Sequence, residues 1–426
     1  MATAESARGK SNDRWRAFRF IFSGVLLVLC VLGATTAWRT GWARFLAAST
    51  NQSLLAQSAD RAVQLSASDA ETHSSRAVVL YQAGDIHNAL KELESAAIQR
   101  PQDYLLWLQI GRARDEAGDG PAALTAFQEA IRLAPFYSDP RWQYGNVLYR
   151  VGRFAEAFHE LSIAADSDPT LTPVLMDLAW NTYSGDAKAV ERIVAPRNDA
   201  TRISLARFFV KKGRVSDALK LFQATGPGEI DEKRRLLTDL LIAKQFRAAY
   251  EVWAAGVPKM AARGSINNPG FEDAVDLNAR GFSWRQEHER PGVTLSLDTK
   301  RPRSGSSCLL IDWKGHATPE VPVLTQLVPV EPHSRYRLNF FVRTEDVVTG
   351  ALPVIAVVDA GGDERTLVQS KPFPEGANDW QEYQVEFEAP PDAQAVMITL
   401  QRQACSSNPC PIFGRVWLDD FVMRKE

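Results

Sequence analysis

The sequence predicts three regions in series: a membrane-spanning helix, an all-α stack of helical repeats and an all-β sandwich. Three observations predict them. Phe20 to Trp38 is a run of 19 residues without a charge. Between Ala70 and Leu171, four sets of residues recur at intervals of 34. Beyond about Gly256 the spacing of apolar residues changes from a helical period to strand alternation. The resulting boundaries are an N-terminal segment 1–19, a span 20–38, a helical domain 50–256, a linker 257–265 and a sandwich 266–426. A chain of 426 residues is too long for one ordinary core. Its 45% apolar and 23% charged residues belong to a folded protein. A net charge of −2 provides no basic field for nucleic acid.

The N-terminal segment carries Arg8, Lys10, Arg14, Arg16 and Arg19 against Glu5 and Asp13. About 20 apolar residues cross a hydrocarbon core, and Trp15, Trp38 and Trp42 flank the run as interfacial aromatics do. The alternative is a cleaved signal peptide, whose apolar core is roughly 7–15 residues and ends at small residues. The longer run here, closed by Trp38-Arg39-Thr40, favours an uncleaved anchor. The positive cluster ahead of it puts the N-terminus in the cytoplasm and the bulk outside, against the weaker pull of Arg39 and Arg44.

The repeats span 70–103, 104–137 and 138–171. Gly84, Gly118 and Gly152 share one register, as do Ala89, Ala123 and Ala157, then Ala96, Ala130 and Ala164, then Pro101, Pro135 and Pro169. A fixed period of roughly 20–50 residues marks a stacked repeat. The alanines let helices cross closely, the glycine ends the first helix of each pair, and the proline ends the second. Trp107, Gly111, Ala123, Phe127, Ala130 and Pro135 stand in the order of the tetratricopeptide repeat, which the middle copy resembles directly. Thr50 to Asp69 reads as a degenerate opening helix, with Ala62 one period before Ala96. After Pro169 the register weakens, returns with Leu205, Phe209, Gly213 and Phe222, and closes with Leu237, Phe246, Ala249 and Trp253. Five or six helical pairs are expected.

Val293–Leu297, Tyr336–Val342, Val354–Val358, Tyr383–Phe387 and Val396–Leu400 read as strands. Short strands separated by turn signals predict an antiparallel sandwich. Asn268-Pro269-Gly270-Phe271-Glu272 at its start and Val416-Trp417-Leu418-Asp419-Asp420-Phe421-Val422 at its end resemble galactose-binding-like jelly rolls, related to carbohydrate-binding modules.

That resemblance implies a structural calcium tying the first acidic motif to the last strand, with Glu272 and Asp420 at the matching positions; carboxylate oxygens suit the ion. The other reading is that these acids cap turns or pair with arginines. Trp380 and Trp417 match core positions of the family. Trp313 and Phe341 are the candidates for a glycan platform, since aromatic rings stack on sugar faces; otherwise all are packing residues. Cys405 and Cys410 bracket a loop in which Asn408-Pro409 favours a turn. A disulfide suits an oxidising compartment, and free thiols are the alternative.

In the tetratricopeptide family the first helices line a concave groove for peptides or partner domains. The register puts Tyr81, Leu108, Arg112, Trp142, Asn146, Tyr149 and Arg150 there; the alternative is a solvated face. Asn146 and Arg150 resemble part of a clamp for a terminal carboxylate, and the rest of that clamp is missing. The histidines His73, His87, His159, His288, His316 and His333 show no metal spacing, and the first three read as surface residues. Asp419 and Asp420 adjoin on a strand, so alternation sends them to opposite faces. No catalytic constellation emerges. The expectation is a non-enzymatic scaffold of the bacterial inner membrane, with a periplasmic body that binds protein partners, and polysaccharide through the sandwich, in envelope or exopolysaccharide assembly. The alternatives are an accessory subunit of a glycan enzyme and a purely structural adaptor.

Overall fold

The computed structural model describes residues 5–48, 55–257, 265–278, 280–286, 292–315, 321–362, 365–405 and 409–426. The chain folds as an N-terminal apolar helix, an all-α repeat region and an all-β sandwich of antiparallel sheets. It divides into two compact units, Met1–Ala195 and Pro196–Glu426.

In the first unit, α1 (Glu5–Ala47) precedes α2 (Leu55–Leu65) and four helical pairs: α3 (Ala70–Gln82) with α4 (Ile86–Gln99), α5 (Tyr104–Glu116) with α6 (Gly120–Leu133), α7 (Ser138–Arg150) with α8 (Phe154–Ser167), and α9 (Thr172–Thr182) with α10 (Ala187–Val194). Phe22–Ala47 of α1 is long and apolar enough to cross a membrane. An N-terminal helix of this composition serves an anchor and a signal sequence alike. Its end packs on the repeats: Ala43 is fully buried, and Arg44 Nε donates to Asp69 Oδ2 at 2.7 Å. The same carboxylate caps α3 through the Glu71 amide.

Periodic residues do periodic work. Asp69 and Asp103 cap the first helices of their pairs, Asp85 and Asp119 the second, each satisfying an orphan amide. Gly84, Gly118 and Gly152 turn the chain between helices at φ of +79°, +82° and +81°, where a side chain would be strained. All six periodic alanines are fully buried. His73 departs from the surface position expected of it. It is 9% exposed, held by Glu92 Oε2 at 2.6 Å and the Ala67 carbonyl at 2.9 Å, because its register faces α4.

In the second unit, α11 (Asp199–Lys211) pairs with α12 (Val215–Gln223), and α13 (Ile230–Ile242) with α14 (Phe246–Ala254). These last pairs group with the sandwich, so the compact units do not part at the 257–265 linker, of which 258–264 lie outside the described residues. Tyr250 lies edge-on to Phe282 at 5.1 Å and Trp253 is tilted against it at 5.6 Å, and Lys244 Nζ donates to the carbonyls of Gly361 and Gly362.

The strands are β1 (Val293–Asp298), β2 (Cys308–Lys314), β3 (Leu324–Pro329), β4 (Arg335–Thr349), β5 (Pro353–Asp359), β6 (Thr366–Gln369), β7 (Gly376–Glu388), β8 (Ala395–Arg402) and β9 (Ile412–Lys425). They form a five-stranded sheet, β1-β2-β9-β4-β7, and a four-stranded sheet, β3-β8-β5-β6. Leu338, Phe340 and Val342 of β4, with Ile355, Val357, Ile398 and Leu400 of the second sheet, fill the space between. β3 escapes the alternation rule because all six of its residues are buried.

Candidate functional site

In the first unit, polar residues join the first helices α3, α5, α7 and α9 from pair to pair. The Tyr81 hydroxyl donates to Glu116. Arg112 Nη2 donates to both oxygens of Asp139, at 2.8 and 2.6 Å. Arg150 pairs with Asp115, and the hydroxyls of Tyr149 and Thr182 bond at 2.9 Å. The repeat period explains the spacings. Tyr81–Glu116 and Arg150–Asp115 both span 35 residues, one period plus one. Offset pairs of this kind were the signal that sequence reasoning left unused.

This face collects most of the expected groove residues, with one correction. Leu108 is 3% exposed and packs among Phe127, Tyr144 and Ala157, since its position lies between neighbouring pairs. Trp142, Asn146 and Tyr149 are half-buried; Tyr149 also lies edge-on to Phe154 and Phe158. Arg150 is neutralised by Asp115, so the partial carboxylate clamp carries no free cation there. The neighbouring apolar side chains Val78, Tyr81 and Leu105 are 44%, 38% and 49% exposed.

In the sandwich, the tryptophan expectations change places. Trp313, expected on the surface, is 2% exposed and joins the core between the sheets. Trp380, expected in the core, is half-buried on the edge strand β7. Trp284 and Trp417 are buried. Trp417 alternates with the core residues Val416 and Leu418, so it lies on the other side of its sheet. There Arg301 and Arg343 approach its ring at 5.3 and 5.8 Å, and its Nε1 donates to Asp298 Oδ2 at 2.7 Å. Phe341 is half-buried under the Arg303 guanidinium, 3.5 Å from its ring centre. Cation–π contacts of this kind occupy the face a sugar would need.

Asp419 and Asp420 do not point to opposite sides. The β4–β9 register slips between Asn339 and Phe341, and Asp420 takes φ of +52°, as a β-bulge requires. Both carboxylates therefore reach the β1–β2 loop. Asp419, fully buried, accepts from the amides of Arg303, Ser304 and Asp420 at 2.9, 3.4 and 2.8 Å. Burial nonetheless pushes its carboxyl up to about 6. Asp420 accepts from Arg303 and from Ser304 Oγ. Glu272 accepts from the Ser306 amide and hydroxyl, and the hydroxyl foremost holds its carboxyl below the usual range.

These residues do not fit the expected calcium. Glu272 and Asp420 come to one corner, but Arg303 supplies the positive charge there and serine and backbone donors occupy the oxygens. Among the described residues no group of three or more His, Cys, Asp or Glu is disposed to hold a metal. Cys405 and Cys410 are joined by a disulfide; Asn408, the expected turn residue between them, lies outside the described residues. Arg402 braces the loop by donating to the Cys410 carbonyl at 3.0 Å.

Residues 74–138 and 108–172 match the family model described as tetratricopeptide repeat. The solenoid carries tetratricopeptide repeats. Residues 263–409 match the model described as carbohydrate binding domain, and the C-terminal sandwich is a domain of that kind. Solved structures similar to parts of the chain include three with low scores. A structure described as CBM4 structure and function is 15% identical over 38% of this chain and 100% of that chain, with a TM-score of 0.28. Pseudomonas aeruginosa pilF is 16% identical over 46% and 96%, with a TM-score of 0.33. The CBM22-1 xylan-binding domain from Paenibacillus barcinonensis Xyn10C is 14% identical over 39% and 97%, with a TM-score of 0.29. Tetratricopeptide repeats suggest protein–protein interaction, and the carbohydrate-binding domain suggests carbohydrate binding; both kinds of domain are typically non-catalytic.

Proposed function

We propose that this chain is a membrane-anchored scaffold whose tetratricopeptide repeats grip a protein partner while the sandwich engages polysaccharide, in cell-envelope or exopolysaccharide assembly. The N-terminus lies in the cytoplasm and the body in the periplasm of a bacterial inner membrane. The observation that carries the reading is the solenoid face. Its charged groups are paired from helix to helix, yet Val78, Tyr81 and Leu105 remain open between them. Solenoids use such extended faces for binding.

A second reading, a purely protein-binding adaptor, has its own support. Trp284, Trp313 and Trp417 are all buried, which leaves Trp380 as the sandwich tryptophan with an accessible edge. Two measurements on the full chain decide between them. A photo-crosslinking residue at Leu105, in native membranes, should capture a discrete partner, while one at Ile98, 81% exposed on α4, should not. Equal capture at both positions, or none at Leu105, removes the scaffold reading. Retention of the purified chain on a polysaccharide array, lost in Trp380→Ala, supports the glycan role; absence of retention leaves the adaptor.

A further inference from the structure

Between α3 and α5 the solenoid face opens a cavity of about 330 Å³, lined by Val78, Tyr81, Leu93, Gln109 and Arg112 among others. Its walls are apolar, with Leu93 buried below and Val78 and Tyr81 partly open above. The Arg112 guanidinium is committed to both oxygens of Asp139. Gln109 Oε1 is buried with no hydrogen-bond partner among the described residues, and a buried acceptor left unpaired is unfavourable until a donor reaches it. Asp115 is balanced by Arg150. Glu116 adjoins the cavity through the Tyr81 hydroxyl, which donates to it, and among the described residues that neutral group is its one bonded partner. After these pairings the cavity offers apolar walls and one unpaired acceptor, and beside it stands a carboxylate that has no bonded cation among the described residues.

We propose that this cavity receives a basic–apolar peptide segment. An apolar side chain enters between Val78, Tyr81 and Leu93, a donor from the segment reaches Gln109, and a neighbouring lysine or arginine pairs with Glu116. The charge pattern is opposite to that of a site for a terminal carboxylate, which would need free cations. Electrostatic complementarity of this sort selects partners and speeds encounter. The inference rests on the reading of the solenoid face as a partner-binding surface and narrows it to one chemistry.

The test uses the full chain in nanodiscs of zwitterionic lipid and fluorescence anisotropy of three acetylated, amidated decapeptides. One alternates leucine and lysine, one leucine and glutamate, and one serine and lysine. The leucine–lysine peptide should bind at least ten-fold more tightly than either of the others. Glu116→Gln should weaken it about ten-fold and flatten its salt dependence. Gln109→Leu, which keeps the volume and removes the acceptor, should weaken it several-fold with little change in salt dependence. Equal binding of the leucine–glutamate peptide, or an unchanged Kd in Glu116→Gln, overturns the proposal. If Leu105 captures a partner while the leucine–lysine peptide does not bind, the basic class is wrong and the partner-binding face stands. If neither occurs, both fall.

Discussion

The solenoid and the sandwich place their tight contacts in different ways. In the solenoid, close approaches occur between side chains one helix apart. A Cβ on Gly111 would lie 2.5 Å from a ring carbon of Phe127, and one on Gly145 2.7 Å from Leu161 Cγ. In the sandwich, one close approach joins two strands far apart in sequence, backbone to backbone. A Cβ on Gly414 would lie 2.4 Å from the Asp346 carbonyl oxygen and 2.7 Å from Val347 Cα. A side chain can yield or be replaced; a strand in a ladder cannot move without its neighbours. The contacts at Gly111 and Gly145 are therefore repairable one site at a time, and the contact at Gly414 is not.

The largest expected effect tests the sandwich side of this contrast. Gly414→Ala combines left-handed strain, at φ of +104°, with a clash against backbone, so it should cost about 3 kcal/mol or more. Chemical denaturation of the full chain should show loss of the sandwich transition. A variant as stable as the parent would show that β4 and β9 are not held as described.

Gly111→Ala should cost less, about 1–3 kcal/mol, as overpacking against a side chain does. Its distinguishing mark is repair. Phe127→Leu, which shortens the side chain it meets, should recover a good part of the loss in the double variant, because residues in contact are energetically coupled. Simple additivity of the two losses would break the comparison between the regions.

The smallest effect is a pH slope. Burial raises the Asp419 carboxyl from the ordinary 3.8 to about 6 in the folded chain. The native state then holds this proton more tightly than the unfolded state. Between those two values, stability from this group falls as pH rises, and it is greatest when the group is protonated. From pH 5 to pH 7 the loss should be about 1 kcal/mol. Urea midpoints at the two pH values should show it, and Asp419→Asn should remove the slope at the cost of a lower midpoint. A parent midpoint that is unchanged, or higher at pH 7, would mean that the amides of Arg303 and Ser304 outweigh burial.

By itself the sequence determined where helices begin, turn and end, because each such feature depends on residues a few positions apart. Gly118 turns the chain and Asp119 caps the next helix whatever lies elsewhere, and the 34-residue period copies the result. Strand alternation likewise exposed the all-β class. Tertiary structure alone decided which aromatics are covered and what the acids do. Trp313 is buried since its strand faces the second sheet. Trp417 is buried on the opposite side, because a loop distant in sequence brings Arg301 over it. The bulge that aims Asp419 and Asp420 at one loop exists only in the pairing of β9 with β4. Local spacing cannot contain it, since the extra residue is defined by the partner strand. For the same reason the expected calcium gave way to other partners: Arg303 pairs with Asp420 and Ser306 with Glu272, and which groups meet these carboxylates is set by the loop that folds over them.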